Sequence, residues 1–179
     1  MAVPPTATIK DMSGVYVLNK SLSDSSQVLL KMQGVGFIVR QAVQYSTITV
    51  TIKHYTDEDG KVHLDQKQVS TGGISNEDLR VLDWSWNENK NRIWGKVKGR
   101  NRVTKVSELD DEFLKEGWSE DCIEDGVIET VSESVTSGWV ATQIFGFADV
   151  DGLRKQVRRV VGRKGDQVEQ MRQVYDWKA

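Results

Sequence analysis

From residue 46 to residue 177 apolar and polar residues alternate in short runs separated by turn-forming residues, and no proline follows Pro5. Successive side chains of a strand point to opposite faces, so a period of two marks strands buried on one side. Strand ladders also need every backbone N–H, which a proline would remove. The runs fall at 46–55, 61–70, 79–86, 92–103, 126–135, 138–147, 153–162 and 167–177, with a further β-branched and aromatic run at 13–20. Turns are expected in DEDGK, at Gly72 and Gly73, in NENKN, and at 136–138, 149–152 and 164–166. Nine or so amphipathic strands in succession avoid exposed edges most simply by closing on themselves. The expectation is a mainly β fold, a single antiparallel up-and-down β-barrel of about 9–10 strands, with a β-sandwich as the rival.

Two stretches break the alternation. After Ser23, Asp24 and Ser25, any of which could cap a helix, Val28, Leu29 and Met32 recur at helical spacing until Gly34 and Gly36 stop them. A second short helix from about 35 to 43 would carry Phe37, Ile38 and Val43 on its inner side, making 23–43 a helix-turn-helix lid. Further on, SELDDEFLKEGW places Leu109, Phe113 and Leu114 on one helical face within an insertion at 104–125, which could lie over one end of the barrel. Residues 1–11, which hold both prolines, read as a flexible tail ahead of a single domain at 12–179.

Charge and composition narrow the function classes. Lys plus Arg number 24 and Asp plus Glu 26, a net of -2, so no overall field favours nucleic acid. Cys122 is the only cysteine, which excludes an intramolecular disulfide and a multi-thiolate zinc site and suits a reducing compartment. The start MAVPPTATIK lacks the basic and apolar segments of a secretory signal, so a cytoplasmic location is expected. With only His54 and His63 as histidines, and with no phosphate-binding loop or nucleophile elbow, neither metal nor cofactor is expected.

The order of a strand, two short helices and a run of hairpins carries a family likeness. MSGVYVLNKSLSDSSQVLLKMQGVGFIVRQAV resembles the opening of intracellular fatty-acid-binding proteins, over about residues 12–55. The second lid helix of that family begins with the Gly-Val-Gly-Phe sequence seen at Gly34–Phe37, followed by a basic residue as at Arg40. MRQVYDW at the end is similar, more loosely, to the family's last strand, where an Arg and a Tyr two positions apart point into the cavity. The resemblance is to the fatty-acid-binding and lipocalin (calycin) barrels together, and the insertion is not part of their pattern. It implies a lidded cavity for a hydrophobic small molecule, with Phe37, Arg40 and Tyr175 near it. Where that family places its carboxylate-binding Arg, this chain has Gln173, while the adjacent Arg172 faces the other way. Glutamine hydrogen-bonds a hydroxyl or carbonyl but cannot neutralise a carboxylate. A mostly neutral lipid, polyketide or terpenoid is therefore expected.

Other side chains are candidates for the same cavity. Trp84 and Trp86 share a strand face with Leu82, and Trp139 shares one with Ala141, Gln143 and Phe145, offering flat apolar walls with polar handles. Arg158 and Arg159 lie on opposite faces, so one of them points inward, where it would pair with an acid or bind an anionic group. Glu129 and Glu133 alternate with Val127, Val131 and Val135. If the two carboxylates are the inner set, burial would raise their pKa and make one a general acid or base. His54 shares the face of Ile48, Val50 and Ile52 and could shuttle a proton. Arg92, Lys96, Lys98, Arg100 and Arg102 form a basic stripe along strand 92–103, read as a solvated outer face that could dock an anionic membrane. Two functions follow: a carrier, or a cofactor-independent cyclase or isomerase of natural-product biosynthesis. The second relies on orientation of a flexible substrate, worth on the order of 7–11 kcal/mol in ideal cases, with Glu133, Glu129 or His54 as acid and base.

Overall fold

The computed structural model describes residues 1–178. Ten strands form one antiparallel sheet in the order β4-β3-β2-β1-β10-β9-β8-β7-β6-β5. They are β1 (Gly14–Leu18), β2 (Ile48–Thr56), β3 (Val62–Ser70), β4 (Ser75–Val81), β5 (Asn87–Asn91), β6 (Gly95–Thr104), β7 (Val127–Ser134), β8 (Val140–Val150), β9 (Leu153–Lys164) and β10 (Gln167–Trp177). The sheet curls into a nearly closed barrel of the expected class. Its two edges, β4 and β5, face each other without forming a ladder. Between β1 and β2 stand α1 (Gln27–Met32) and α2 (Phe37–Tyr45), the expected helix-turn-helix. Among the described residues no helix is long and apolar enough to cross a membrane.

The run 79–86 is not one strand, and NENKN is not a turn. NENKN is β5 itself, paired with β6 from Asn87↔Gly99 to Asn91↔Gly95. The chain leaves β4 at Val81 and crosses below the gap, with Trp84 at φ 62°. Trp84 and Trp86 satisfy the alternation for another reason: they cover cations outside the barrel. Arg100 lies 3.9 Å from the Trp84 ring centroid and 4.6 Å from that of Trp86, and Arg102 lies 4.1 Å from Trp84.

The first residues are no flexible tail. Val3, Ala7 and Ile9 are buried with the core, the Val3 N–H donates to the Arg154 carbonyl (2.8 Å), and Arg154 Nη1 donates to the Ala7 carbonyl (2.8 Å). Met12, wholly buried, donates its N–H to His54 Nδ1 at 3.2 Å. This segment plugs the barrel end where β1 and β9 begin and β10 finishes. Prolines at positions 4 and 5 exclude it from a ladder but not from the core.

The insertion lies elsewhere than expected as well. Its short helices α3 (Glu112–Lys115) and α4 (Glu120–Asp125) pack on the outside of β8 and β9, not over an end. Arg159 and Arg163, outward on β9, donate to the Phe113 carbonyl (3.1 Å) and to Asp111 Oδ2 (2.6 Å). Gly146 on β8 permits the close approach. A Cβ there would stand 2.9 Å from the Trp118 ring and 3.2 Å from Cys122 Sγ. Burial raises the Cys122 thiol pKa, so this cysteine is an inert packing group.

Candidate functional site

A cavity of about 660 Å³ occupies the lid half of the barrel. Inward positions follow strand parity: Ala141 and Gln143 on β8 with Trp139 just before it, Arg158 and Val160 on β9, and Met171, Gln173 and Tyr175 on β10. The lid contributes Leu29 and Leu30 of α1 and Val39 and Val43 of α2. α1 seats against Gly162, where a Cβ would come 2.4 Å from Leu29 Cδ1 and 2.7 Å from Met32 Cε. Val39 and Val43, four residues apart, share the inner face of α2. Phe37 and Ile38 therefore point away and are 66% and 82% exposed, against expectation. Arg40 also stays outside the cavity. Its Nη1 donates to the Val35 carbonyl (2.6 Å) while its own carbonyl accepts from Gln27 Nε2 (2.7 Å), so it braces the lid.

The polar groups of the cavity converge on one cluster. Gln173 and Arg158 face each other across the β10–β9 ladder. Gln173 Oε1 accepts from Arg158 Nη2 and from the Tyr175 hydroxyl, the latter at 2.9 Å. From β4 a second guanidinium enters: Arg80 Nη1 donates to Gln66 Oε1 (3.1 Å) and Nη2 to Asp78 Oδ2 (3.1 Å). Burial, opposed by Asp78 and reinforced by nearby Arg158, lowers the pKa of Arg80. Burial likewise raises that of Tyr175, with Arg158 opposing, so the phenol stays protonated. Arg158 Nε is buried without an acceptor among the described residues. Phe145, on the Trp139 face of β8, lies beneath the pair, 5.4 Å from Arg80 and 6.0 Å from Arg158, and forms the floor rather than the cavity wall.

Of the two guanidiniums, Arg80 is paired with the carboxylate of Asp78, whereas Arg158 is held by the neutral Gln173. The glutamine at position 173 does not leave the cavity without a cation, because Arg158 stands opposite it and Arg80 approaches from the other wall. The cavity expected to take a mostly neutral molecule therefore holds two buried cations, Arg80 and Arg158. Arg80 was the signal overlooked in the sequence. By alternation it shared a face with Leu82 and Trp84, and a charged residue on a supposed core face needed a partner.

The remaining candidates lie away from the cavity. Glu129 and Glu133 are on the outer face of β7, paired with Arg102 Nε (2.6 Å) and Lys98 Nζ (2.8 Å), so neither is an interior acid or base. His54 sits at the plugged end, where burial lowers its pKa and Nδ1 accepts from Met12. Trp84 and Trp86 are outside, as described. In the basic stripe Lys96 pairs with Glu88 (2.8 Å), and Lys98, Arg100 and Arg102 are engaged by acids or indoles, so the stripe is largely neutralised. Among the described residues no group of three His, Cys, Asp or Glu side chains could hold a metal.

No protein-family model matches the chain. The chain is 36% identical over 186 residues to the pericyclase pydY of an Acremonium species, covering 99% of this chain and 97% of that protein. It is 30% identical over 180 residues to "Probable pericyclase scpY" of Mollisia scopiformis, covering 98% and 94%. Among solved structures it is similar to a Schistosoma mansoni fatty acid binding protein in complex with arachidonic acid, with a TM-score of 0.60 at 15% identity over 96% of this chain and 99% of that one. Caenorhabditis elegans lipid binding protein 8 gives a TM-score of 0.59 at 16% identity over 93% and 94%. These last two share the fold.

Proposed function

We propose, given that this chain belongs to the family of the pericyclase pydY, that it catalyses a pericyclic ring closure of a flexible, mostly apolar substrate folded inside the barrel. The observation that carries this reading beyond the family is the cavity itself: an apolar surface of Leu29, Val39, Val43, Trp139, Val160 and Met171 beside a buried cluster of Arg158, Arg80, Gln173 and Tyr175. A pericyclic closure moves electrons around a closed ring of bonds. Every atom is retained, and neither a nucleophile nor a proton acceptor is consumed. That demand agrees with an inner end where Arg158 and Tyr175 donate to Gln173 and no carboxylate among the described residues is bonded to them.

The walls restrict the substrate to conformers in which the reacting ends meet. In favourable cases this contributes on the order of 7–11 kcal/mol. The cluster holds the polar end. A carbonyl or enolate oxygen conjugated to the reacting π-system would gain negative charge in the transition state. Guanidinium N–H groups fixed in a dry cavity stabilise that charge without reorganising. Gln173 acts as a positioning residue: its one carbonyl oxygen accepts from both Arg158 and Tyr175 and fixes their orientation.

Ring closure conserves mass, which makes the test specific. Material that copurifies with the protein from its native source is identified by mass spectrometry, and its open-chain form is then incubated with fresh protein. The expected product has the same mass and a new retention time. Unchanged ligand after prolonged incubation refutes catalysis and leaves a carrier. Arg158→Met is expected to lower turnover about 10²- to 10³-fold, the usual effect of removing one donor to a developing oxyanion. Tyr175→Phe should act less, because the hydroxyl's proton is committed to Gln173.

A further inference from the structure

On a strand within a ladder only alternate residues face a barrel interior. β4 and β5 break this rule, for every residue of Ser75–Val81 and of Asn87–Asn91 lines the cavity. They do so because the two strands are the unpaired edges of the sheet, and the cavity continues outward between them as a slot. The slot is bounded below by the crossing segment 82–86, where the Trp84 N–H donates to the Asn101 carbonyl at 2.8 Å. At its upper end one side-chain contact bridges it, Asn91 Nδ2 to Asn76 Oδ1 at 2.5 Å.

The helical lid is fastened far more firmly. Leu29 and Met32 seat on Gly162 of β9. Gln33 at the end of α1 accepts from Trp94 Nε1 in the β5–β6 turn (3.1 Å). The Arg172 N–H of β10 donates to Asp24 Oδ2 (2.7 Å), and the Gly72 N–H of the β3–β4 turn donates to Ser46 Oγ (3.1 Å). Moving the lid breaks all of these together, whereas parting the upper slot breaks one and leaves the long Asn101 Nδ2–Val81 carbonyl contact (3.5 Å) at its lower end in place. The slot also leads to the polar cluster: Asp78 is on its rim, and Arg80, bonded to it, reaches inside.

We infer that the substrate reaches the barrel through the slot between β4 and β5, with the Asn76–Asn91 contact as its latch, and not by displacement of the helical lid. The inference rests on the reading that this cavity holds the substrate. It does not require ring closure, so the test uses binding alone. Cysteines are placed at both latch positions (Asn76→Cys with Asn91→Cys) and, in a second protein, across the lid (Gln33→Cys with Trp94→Cys). Each pair is joined by a short bifunctional maleimide. Cys122 is fully buried and does not compete. Association of the fluorescent apolar anion 1-anilinonaphthalene-8-sulfonate is then followed by stopped flow, each linked protein being compared with its own unlinked form.

Linking the slot should slow association about tenfold or more, and linking the lid should leave it unchanged. Asn91→Ala, which opens the latch, should speed association and dissociation together by roughly three- to tenfold, the worth of one neutral hydrogen bond. Any slowing by the lid link, or none by the slot link, overturns the inference. Failure of every candidate substrate to cyclise would refute the proposed function and leave this result standing.

Discussion

Ile9→Ala separates a structural plug from a mobile tail. Ile9 is 2% exposed, with Val3 and Ala7 beside it in the main core and Met12 completing the segment. Truncating a buried isoleucine to alanine costs about 2–5 kcal/mol, the lost transfer energy plus the cavity left behind. The loss has a ceiling. Once it reaches the net free energy with which residues 1–11 dock, the segment lets go and further truncation costs nothing. Val3→Ala added to Ile9→Ala should therefore cost less than it does alone, a non-additivity that two independent sites would not show. Urea unfolding followed by tryptophan fluorescence reads both values, and Trp118 and Trp177 pack against this core. The Lys10 side chain is already exposed, so undocking should act by freeing the backbone around it for trypsin cleavage in otherwise folded protein. An Ile9→Ala change within about 0.5 kcal/mol of zero, the range of surface substitutions, would refute the plug.

Three other outcomes follow from where the titratable groups lie. Glu129→Gln and Glu133→Gln should leave turnover unchanged, because both carboxylates are outside the barrel, while Glu129→Gln lowers stability by about 1 kcal/mol through its partly buried pair with Arg102. A fall in turnover with either variant, measured on the copurified substrate, would place an acid–base step back in the mechanism. Stability should decline as pH falls below 6.5, the ordinary histidine value, because burial depresses the His54 pKa and the unfolded chain takes up that proton first. Asp11, Ser13 and Met12 face this ring, and Asp11, held below its ordinary 3.8 by hydrogen bonds to Ser13, loses its own contribution only at more acid pH. His54→Gln should flatten the urea midpoint between pH 7 and 5, and an unaltered slope would show that His54 is not the group responsible.

The barrel was legible because alternation reports burial on one face, and all ten strands have a buried or cavity-facing side. It failed at Leu82–Trp86 because alternation does not say which face is inside. Trp84 and Trp86 cover Arg100 and Arg102 on the outer surface, and a tryptophan over a guanidinium gives the same pattern as a tryptophan in a core. The plug is not legible in the sequence because prolines exclude a ladder and say nothing about burial. The cavity residues on β8 to β10 were accessible from parity alone. For Arg80 parity gives only a charge in need of a partner; the partner Gln66 of β3 and the approach of Arg158 across the barrel are not local. That meeting depends on barrel closure, which no local pattern encodes.

The division between walls and polar cluster also bears on how such a barrel gains catalytic power. One donor to a developing oxyanion supplies roughly 3–4 kcal/mol, less than the 8 kcal/mol or so that marks the slow end of enzymatic acceleration. Restriction of the substrate to reactive conformers can supply the larger part. It needs only a cavity of suitable shape, which this barrel possesses. Under the proposed function little is needed beyond a cluster that fixes one end of the guest and walls that fold the other end back upon it. The polar residues then set orientation and tune the rate, and a variant lacking Arg158 should retain measurable catalysis as long as Leu29, Trp139 and Val160 keep the cavity's shape. Under the proposed function the chemistry would be carried by the enclosed volume, whose shaping residues look like an ordinary hydrophobic core, and this would account for the lack of a catalytic motif along the chain.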